Sequence, residues 1–317
     1  MIVGVRHWLE YVGLALGFRA TAALPLGMLR PLAHVLGAVA WSVDGRGRSV
    51  SLANLEAAFP GRYSLTEKRR VGRSSYQTFA RTMLELAWAP NLNEEILGRL
   101  VEAVGLEGSP CHSDPQRAAI YSTFHYSNFE WLSLAGRFTI SRMPIVAQEF
   151  KNPRLGPLFD DLRSRTGHPL FPRSRVMLKL LRHLREGGKF GFLVDLSLDP
   201  RQGSVCIEQF GGLKTSVTQM HAALALKTGA AIVPLICRPL PDGRYRIVYH
   251  PQMDVPAGTP PREIAQMTWD AVEPVLRENP EHWLWAYKHW RFKPSNGDTS
   301  RYPFYSNTTD RFDRILT

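Results

Sequence analysis

The sequence predicts an α/β fold in which a mixed, mostly parallel β-sheet is flanked by helices, with membrane-associating helices at the N-terminus. Short apolar runs typical of buried strands alternate with segments of helical periodicity, which is the pattern of a parallel sheet covered by helices. The chain has 317 residues, 44% hydrophobic and 21% charged, so it can bury a large core. No linker, low-complexity tract or repeat divides it. We therefore expect an N-terminal helical segment, residues 1–50, and one domain, residues 51–317.

The N-terminal segment is apolar but does not predict an uninterrupted membrane-spanning helix. Residues 12–43 are rich in Leu, Ala, Val and Gly, yet charged residues and prolines interrupt them before about 18 apolar residues accumulate. The early Glu10 and the length of the stretch also argue against a secretory signal. We expect two helices, residues 8–29 and 31–43, that lie in the membrane interface and are held by aromatic and basic residues at their ends. The alternative is a pair of amphipathic helices packed on the protein's own core.

A helix with a defined start follows at residue 64. Ser64 and Glu67 have the spacing of a capping box, in which the serine hydroxyl accepts from the Glu67 amide and the carboxylate reaches back. Apolar residues then recur on one face until Pro90 stops the run. Glu85 lies near that face and is either a buried structural acid or a surface residue.

The rest of the chain predicts alternating strands and helices. The predicted strands are residues 118–124, 190–194, 230–236 and 245–249. The predicted helices begin near residue 131, at residue 176, at residue 216 and at Pro260. The helix that begins at residue 176 is expected to end at residue 184, and the one that begins at residue 216 to end at residue 227. The last helix is expected to end near residue 275. His125 and Asp195 each follow a strand, and ligands of such sheets bind beyond the carboxyl ends of the strands.

Two polar side chains at the first of these corners predict acid–base chemistry. His125 and Glu130 are five residues apart, which on an ideal helix would leave them roughly 140° apart, so their contact requires the histidine to precede the helix. A carboxylate bonded to one ring nitrogen fixes the tautomer and raises the basicity of the other nitrogen. No Gly-x-Ser-x-Gly elbow accompanies the pair, which suits a base acting on a substrate hydroxyl. The alternative is a structural histidine at a helix start.

The charge of the chain predicts an anionic partner. Lys and Arg number 39 against 28 Asp and Glu, which gives a formal net charge of +11. Nucleic acid, anionic lipid and an acidic carrier protein all fit, and so does a solvated basic surface without a partner. Trp283, Trp285 and Trp290 stand among basic residues, as at a lipid headgroup boundary or a nucleic-acid stacking surface. No nucleic-acid-binding motif is recognisable, so we do not expect nucleic acid as a partner.

Six further blocks of sequence, in the same order, resemble a known family. They lie at residues 54–60, 85–86, 187–195, 209–215, 226–230 and 279–285. Together with the His-x4-Glu motif at His125, they resemble the bacterial lipid A biosynthesis acyltransferases and their relatives, which share a His-x4-Asp/Glu motif with glycerolipid acyltransferases. The resemblance covers residues 54–294, most of the chain.

The resemblance implies a glycerolipid-acyltransferase-like fold and an acyltransferase activity. It implies an acyl donor carried as a thioester on acyl carrier protein or coenzyme A, and a hydroxyl of an anionic lipid or lipid A-type glycolipid as acceptor. No cofactor beyond the donor is implied, and three widely spaced cysteines predict no metal site. The implied location is the cytoplasmic face of the bacterial inner membrane, with the protein peripheral or held by a single N-terminal anchor.

The resemblance also implies roles for site residues. His125 is the implied base and Glu130 its orienting acid. Asp195 is expected to shape the site, with a structural carboxylate at a turn as the alternative. Asn128, inside the His125 corner, is a further substrate-binding candidate.

Two arginines complete the candidate set. Arg173 and Arg175 lie where the family has an arginine near the active site, and they are candidates for binding a phosphate or carboxylate. A solvated basic loop is the alternative for both.

The sequence departs from the family in places that bear on the acceptor. Residues 148–151 stand where many members have a Tyr-Arg pair, Leu196 replaces a Gln after Asp195, and residues 287–289 replace a His-Arg-Arg run. The acceptor is therefore less well indicated than the reaction class. A lysophospholipid or glycosyl-lipid acyltransferase that uses acyl-CoA is a second prediction. A nonenzymatic basic protein that binds membrane or nucleic acid is a third.

Overall fold

An all-helical N-terminal part precedes alternating strands and helices in the computed structural model of the protein. The structure describes residues 2–107, 109, 112, 114, 116–146, 150–171 and 176–316. Its α-helices, in chain order, are α1 (Ile2–Ala22), α2 (Leu26–Val43), α3 (Gly45–Ala58), α4 (Leu65–Ala87), α5 (Glu94–Leu100), α6 (Phe129–Thr139), α7 (Leu155–Ser164), α8 (Val176–Arg185), α9 (Met220–Thr228), α10 (Pro261–Glu278) and α11 (Asp310–Asp313). Its strands are β1 (Val101–Val104), β2 (Ala119–Thr123), β3 (Ile145–Val146), β4 (Leu170–Phe171), β5 (Lys189–Leu193), β6 (Ser204–Gln209), β7 (Leu213–Thr218), β8 (Ala231–Pro239) and β9 (Tyr245–Tyr249).

The central sheet has five strands in the order β1-β9-β8-β2-β5. Strands β1 and β9, β8 and β2, and β2 and β5 pair in parallel, whereas β8 and β9 pair in an antiparallel arrangement. The short pair β3–β4 and the hairpin β6–β7 stand outside this sheet. The predicted mixed, mostly parallel sheet is therefore confirmed.

Helices cover both faces of the sheet because successive strand residues point to opposite faces. On one face, Tyr121 of β2 and Val233 of β8 belong to the same apolar cluster as Trp131 of α6. On the other face, Ile120 and Ile232 cluster with residues of α8 and α9. Burial on both faces explains why these strands read as continuous apolar runs.

The N-terminal helices break at a different place from the one predicted. Residues 23–25 separate α1 from α2, and α2 continues through Pro31. Pro25 has an extended backbone and precedes the helix, whereas Pro31 lies inside it and forfeits its own N–H bond. Trp41 is buried in the face of α2 that packs against α4, so it anchors the two helices to each other.

The predicted capping box of α4 is confirmed, but the helix predicted from residue 216 starts later. Ser64 accepts from the Glu67 amide and Glu67 accepts from the Ser64 amide. Residues 213–218 form β7, with Ser204 of β6 opposite Thr218. β-Branched Thr215, Val217 and Thr218 favour a strand there, and α9 begins at Met220.

Candidate active site

The register of two neighbouring strands brings His125 and Asp195 together. β2 and β5 pair in parallel with Thr123 opposite Leu193, the last pair of the ladder. His125 and Asp195 therefore each lie two residues beyond that pair, at the carboxyl edge of the sheet. The sequence prediction that both residues occupy this edge is confirmed.

Asp195 accepts three hydrogen bonds, two of them from His125. Its Oδ1 lies 2.7 Å from His125 Nδ1, and its Oδ2 accepts from the His125 backbone N–H at 3.0 Å. The indole Nε1 of Trp283 donates to the same Oδ2 at 2.8 Å. The Asp195 side chain is fully buried, whereas that of His125 keeps 15% of its surface exposed. The carboxylate is thus fixed inside the protein and the imidazole reaches toward the outside.

The protonation state of Asp195 sets the tautomer of His125. Burial alone raises the pKa of the Asp195 carboxyl, but the neighbouring His125 and the hydrogen bonds from His125 and Trp283 bring that pKa below its ordinary value. An ionised carboxylate only accepts hydrogen bonds, so Nδ1 of His125 carries the proton. The lone pair of Nε2 is then available to take a proton from another group.

Glu130 does not orient His125 in this structure, contrary to the prediction. Its two carboxylate oxygens accept from Nη2 and Nε of Arg163 at 2.6 and 3.0 Å, a bidentate pair. Among the described residues, Nδ1 of His125 is bonded to Asp195 instead. Glu130 lies in the first turn of α6 and Arg163 in the last turn of α7, so their pair joins the two helices.

The turn after β2 is shaped by strained backbone and buried polar contacts. Ser127 has a φ of 52°, in the left-handed region that favours glycine. Its amide donates to the carbonyl of His282 at 2.7 Å, and its carbonyl accepts from Thr82 at 3.0 Å. These contacts hold the conformation that turns the chain from strand to helix immediately after His125.

The side chain of Asn128 is held inside the protein by two hydrogen bonds. Its side chain caps α6 by accepting from the Trp131 amide, and it donates to Glu85 at 2.6 Å. Glu85 also accepts from Tyr245 and pairs with Arg81. Of the two alternatives for Glu85, the buried acid is confirmed.

The C-terminal tryptophans lie in the core, so both surface interpretations of them are wrong. Trp283, Trp285 and Trp290 are each 0% exposed and share one apolar cluster. Trp283 stacks on His289, with ring centroids 3.7 Å apart and an interplanar angle of 22°. Trp283 also forms an antiparallel bridge with Tyr126. This segment therefore supports the His125 turn from behind and supplies the third hydrogen bond to Asp195.

Comparison with known proteins decides the family. The model of a family described as bacterial lipid A biosynthesis acyltransferase matches residues 3–292. The chain belongs to this family. It is also 25% identical over 306 residues to the lipid A biosynthesis lauroyltransferase of Escherichia coli (strain K12), covering 94% of this chain and 95% of that protein. The protein is thus an acyltransferase, as the sequence blocks indicated.

The predicted set of site residues for this lipid A acyltransferase family member lacks the arginine that binds Glu130. Arg163 was missed, because its sequence context in α7 gives no signal of the contact with Glu130. Arg173 and Arg175 lie outside the described residues. Among the described residues no group of three or more His, Cys, Asp or Glu side chains is placed to hold a metal ion.

Proposed function

We propose that the protein transfers a fatty acyl chain from an acyl thioester to a hydroxyl of a lipid A-type glycolipid, with His125 as the general base and Asp195 as the residue that orients it. Membership of the lipid A biosynthesis acyltransferase family supports the acyl transfer. The observation that carries the catalytic assignment is the 2.7 Å contact between His125 Nδ1 and a fully buried Asp195 carboxylate.

The reaction that fits this arrangement needs no protein nucleophile. Nε2 of His125 takes the proton of the acceptor hydroxyl while its oxygen attacks the thioester carbonyl carbon. Asp195 stabilises the imidazolium that forms. The carbon–sulfur bond then breaks, and the proton on Nε2 passes to the departing thiolate. The products are an ester on the acceptor and the free thiol of the carrier.

Two further contacts position this pair. The indole N–H of Trp283, which follows Asp195 in the chain, donates a hydrogen bond to the Asp195 carboxylate. The Glu130–Arg163 pair joins α6 to α7, and Glu130 follows Phe129, whose ring centroid lies 4.9 Å from that of His125. In our proposal the pair fixes the start of α6 and therefore the wall of the site next to the imidazole.

The donor and the location follow from charge and exposed apolar surface. A net charge of +11 suits an acidic acyl carrier protein as well as anionic headgroups, and the donor we favour is the acyl carrier protein thioester. Helices α1 and α2 expose large apolar side chains, among them Trp8, Leu9, Val35, Val39 and Val43. By length and composition alone, α2 is the one described helix that qualifies for crossing a membrane. We propose that these helices attach the protein to the cytoplasmic face of the inner membrane.

Comparison of lipids from whole cells tests the function. Cells that lack the protein should accumulate a lipid A-type precursor short of one acyl chain, detected by mass spectrometry as the loss of one fatty acyl mass. The wild-type gene should restore that chain and a His125→Ala variant, produced at the same level, should not. An unchanged lipid A with altered phospholipids would contradict the acceptor while keeping the acyl transfer, and restoration by His125→Ala would contradict the catalytic assignment.

A further inference from the structure

Two adjoining cavities follow the groove between α2 and α4. The first, here called the polar cavity, has a volume of about 210 Å³ and is lined in part by Arg30, Arg81 and the turn residues Ser127 and Asn128. The second, here called the apolar trough, has a volume of about 480 Å³ and is lined in part by Val35, Ala38, Val39 and Arg73. His34 and Gln77 line both cavities, so the two are neighbours between α2 and α4.

The polar cavity brings two guanidinium groups to the same glycine. Arg81 is fixed by Glu85 at 2.6 Å and by the carbonyl of Gly243 at 2.7 Å. The guanidinium of Arg30 packs directly on Gly243, in the space that a side chain at that position would enter. In the described part of the chain no hydrogen bond or ion pair joins Arg30 to another residue. A phosphate or a carboxylate is the kind of group that neighbouring guanidiniums bind.

The lining also contains one acid and several neutral polar side chains. Glu281 lies 3.9 Å from Nε2 of His282, and both line the polar cavity. Ser74 and Thr78 of α4 add hydroxyl groups. The acid of the Arg81 pair, Glu85, is buried beneath the cavity and offsets the charge of Arg81. Arg30 is therefore the guanidinium of this cavity that no acid pairs with in the described part of the chain.

The apolar trough continues from this charged end along α2. From Arg30 to Ser42 the helix rises about 18 Å, long enough for an acyl chain to lie along it. Val35 is 60% exposed and Val39 is 53% exposed along this stretch. Exposed apolar side chains in a row are costly in water and mark a surface that is covered by lipid or protein. A ligand that matches the whole groove has an anionic group at one end and a hydrocarbon chain at the other.

We propose that this groove binds one anionic phospholipid of the membrane, with its phosphate at Arg30 and Arg81 and one acyl chain along Val35 and Val39. The site is separate from His125 and Asp195, neither of which lines it, and the proposal does not depend on the acyl transfer reaction. Since Ser127 and Asn128 form part of the polar cavity, the bound headgroup contacts the turn that follows His125. Binding of membrane lipid therefore also stabilises that turn.

Direct binding measurements test the site without any assay of activity. The purified full-length protein in a mild nonionic detergent would be titrated by calorimetry with dioctanoyl phosphatidylglycerol, dioctanoyl phosphatidylcholine and glycerol 3-phosphate. Phosphatidylglycerol should bind saturably at one site, and each of the other two should bind about tenfold more weakly or worse, because one lacks the net charge and the other lacks the chains.

Three variants place the binding in the groove. Arg30→Gln should weaken phosphatidylglycerol binding about tenfold, which removes the preference over phosphatidylcholine. Val39→Asn should weaken both lipids severalfold and leave glycerol 3-phosphate unchanged. Arg99→Gln, a control at an exposed position of α5, should change none of the three.

Each contrary result overturns the proposal. Equal binding by Arg30→Gln and Arg99→Gln would place the lipid elsewhere, and equal affinity for the two lipids would mean that the phosphate end is not recognised. Glycerol 3-phosphate binding as tightly as phosphatidylglycerol would assign the cavity to a soluble phosphate instead of a lipid. The variant Val39→Asn keeps the test decisive if Arg30→Gln fails to fold.

Discussion

The indole of Trp283 donates a hydrogen bond to the same Oδ2 of Asp195 that accepts from the backbone of His125. Trp283 is 88 residues away from Asp195 in the chain, and its ring is held in place by stacking on His289. The carboxylate beside the candidate base is therefore fixed from three directions. This relationship turns a pair of residues at a sheet edge into a site with a defined geometry.

Removal of the indole N–H tests whether Trp283 positions Asp195. Trp283→Phe keeps an aromatic ring in the core but leaves Asp195 with two donors, so more of its negative charge acts on His125. We expect turnover to fall about tenfold, as for loss of one charge-assisted hydrogen bond, and the acidic limb of the kcat/KM profile to move to higher pH. A Trp290→Phe variant serves as the control for loss of a core indole. Equal pH profiles for the two variants would mean that Trp283 only fills space.

Asp195→Asn should remove most of the activity while the protein stays folded. The amide keeps the shape of the side chain, but it favours the wrong tautomer of His125 and does not stabilise the imidazolium. We expect kcat to fall by about 10³ to 10⁴-fold, measured by ester formation with purified protein. Asp199→Asn, at the surface four residues further on, should keep wild-type turnover. Comparable rates for the two variants would contradict the role of Asp195.

The Glu130–Arg163 pair should contribute strongly to stability. Both side chains are mostly buried, so loss of one leaves the other charged and without its partner. We expect Glu130→Gln to lower the free energy of unfolding by about 3 kcal/mol, and Arg163→Met in the same chain to recover part of that loss. Chemical denaturation of the two single variants and the double variant measures the coupling.

An exposed ion pair at the end of α7 is the matched control for this double-mutant cycle. Asp161 of α7 and Arg165, the residue that follows the helix, are about half exposed and four residues apart, so their coupling should stay below about 1 kcal/mol. If the two cycles gave equal coupling energies, the bidentate pair would have no special part in joining α6 to α7.

The pH dependence of stability should reflect two buried histidines. Burial lowers the pKa of His221 and of His289 to about 4 each, from an ordinary value near 6.5. Between these values the unfolded chain binds protons that the folded chain does not, so stability falls as pH drops from about 6.5 to 4. Each histidine accounts for about 3 kcal/mol across this window. Denaturation at pH 7 and pH 4.5 should show a smaller drop for His221→Gln than for wild type. An equal drop for His221→Gln and wild type would refute the assignment.

Much of the sheet, and the positions of two site residues at its edge, could be predicted from the sequence. The apolar runs at residues 118–124 and 190–194 are followed at once by His125 and Asp195, and this pattern places both residues at the carboxyl edge. The bounds of β9 agree with the prediction residue by residue. Such features are local, because they depend on the pattern of buried residues within one strand and on the residues that end it.

The partner of His125 could not be predicted from spacing along the chain. The contact with Asp195 depends on the parallel register of β2 and β5, which pairs residues 70 positions apart. Glu130 has the sequence spacing expected of a partner of His125, but it binds Arg163 because α7 packs beside the first turn of α6. The hairpin strand β7 was missed for a related reason, since its partner β6 had no recognised strand pattern.

The central claim is that the imidazole of residue 125, held by Asp195, removes the proton of the acceptor hydroxyl. The most direct measurement is kcat for acyl transfer by purified His125→Gln protein, beside wild type at saturating donor and acceptor. We expect a fall of at least about 10³-fold with an unchanged unfolding midpoint. Turnover within a few fold of wild type, from a folded variant, would contradict it.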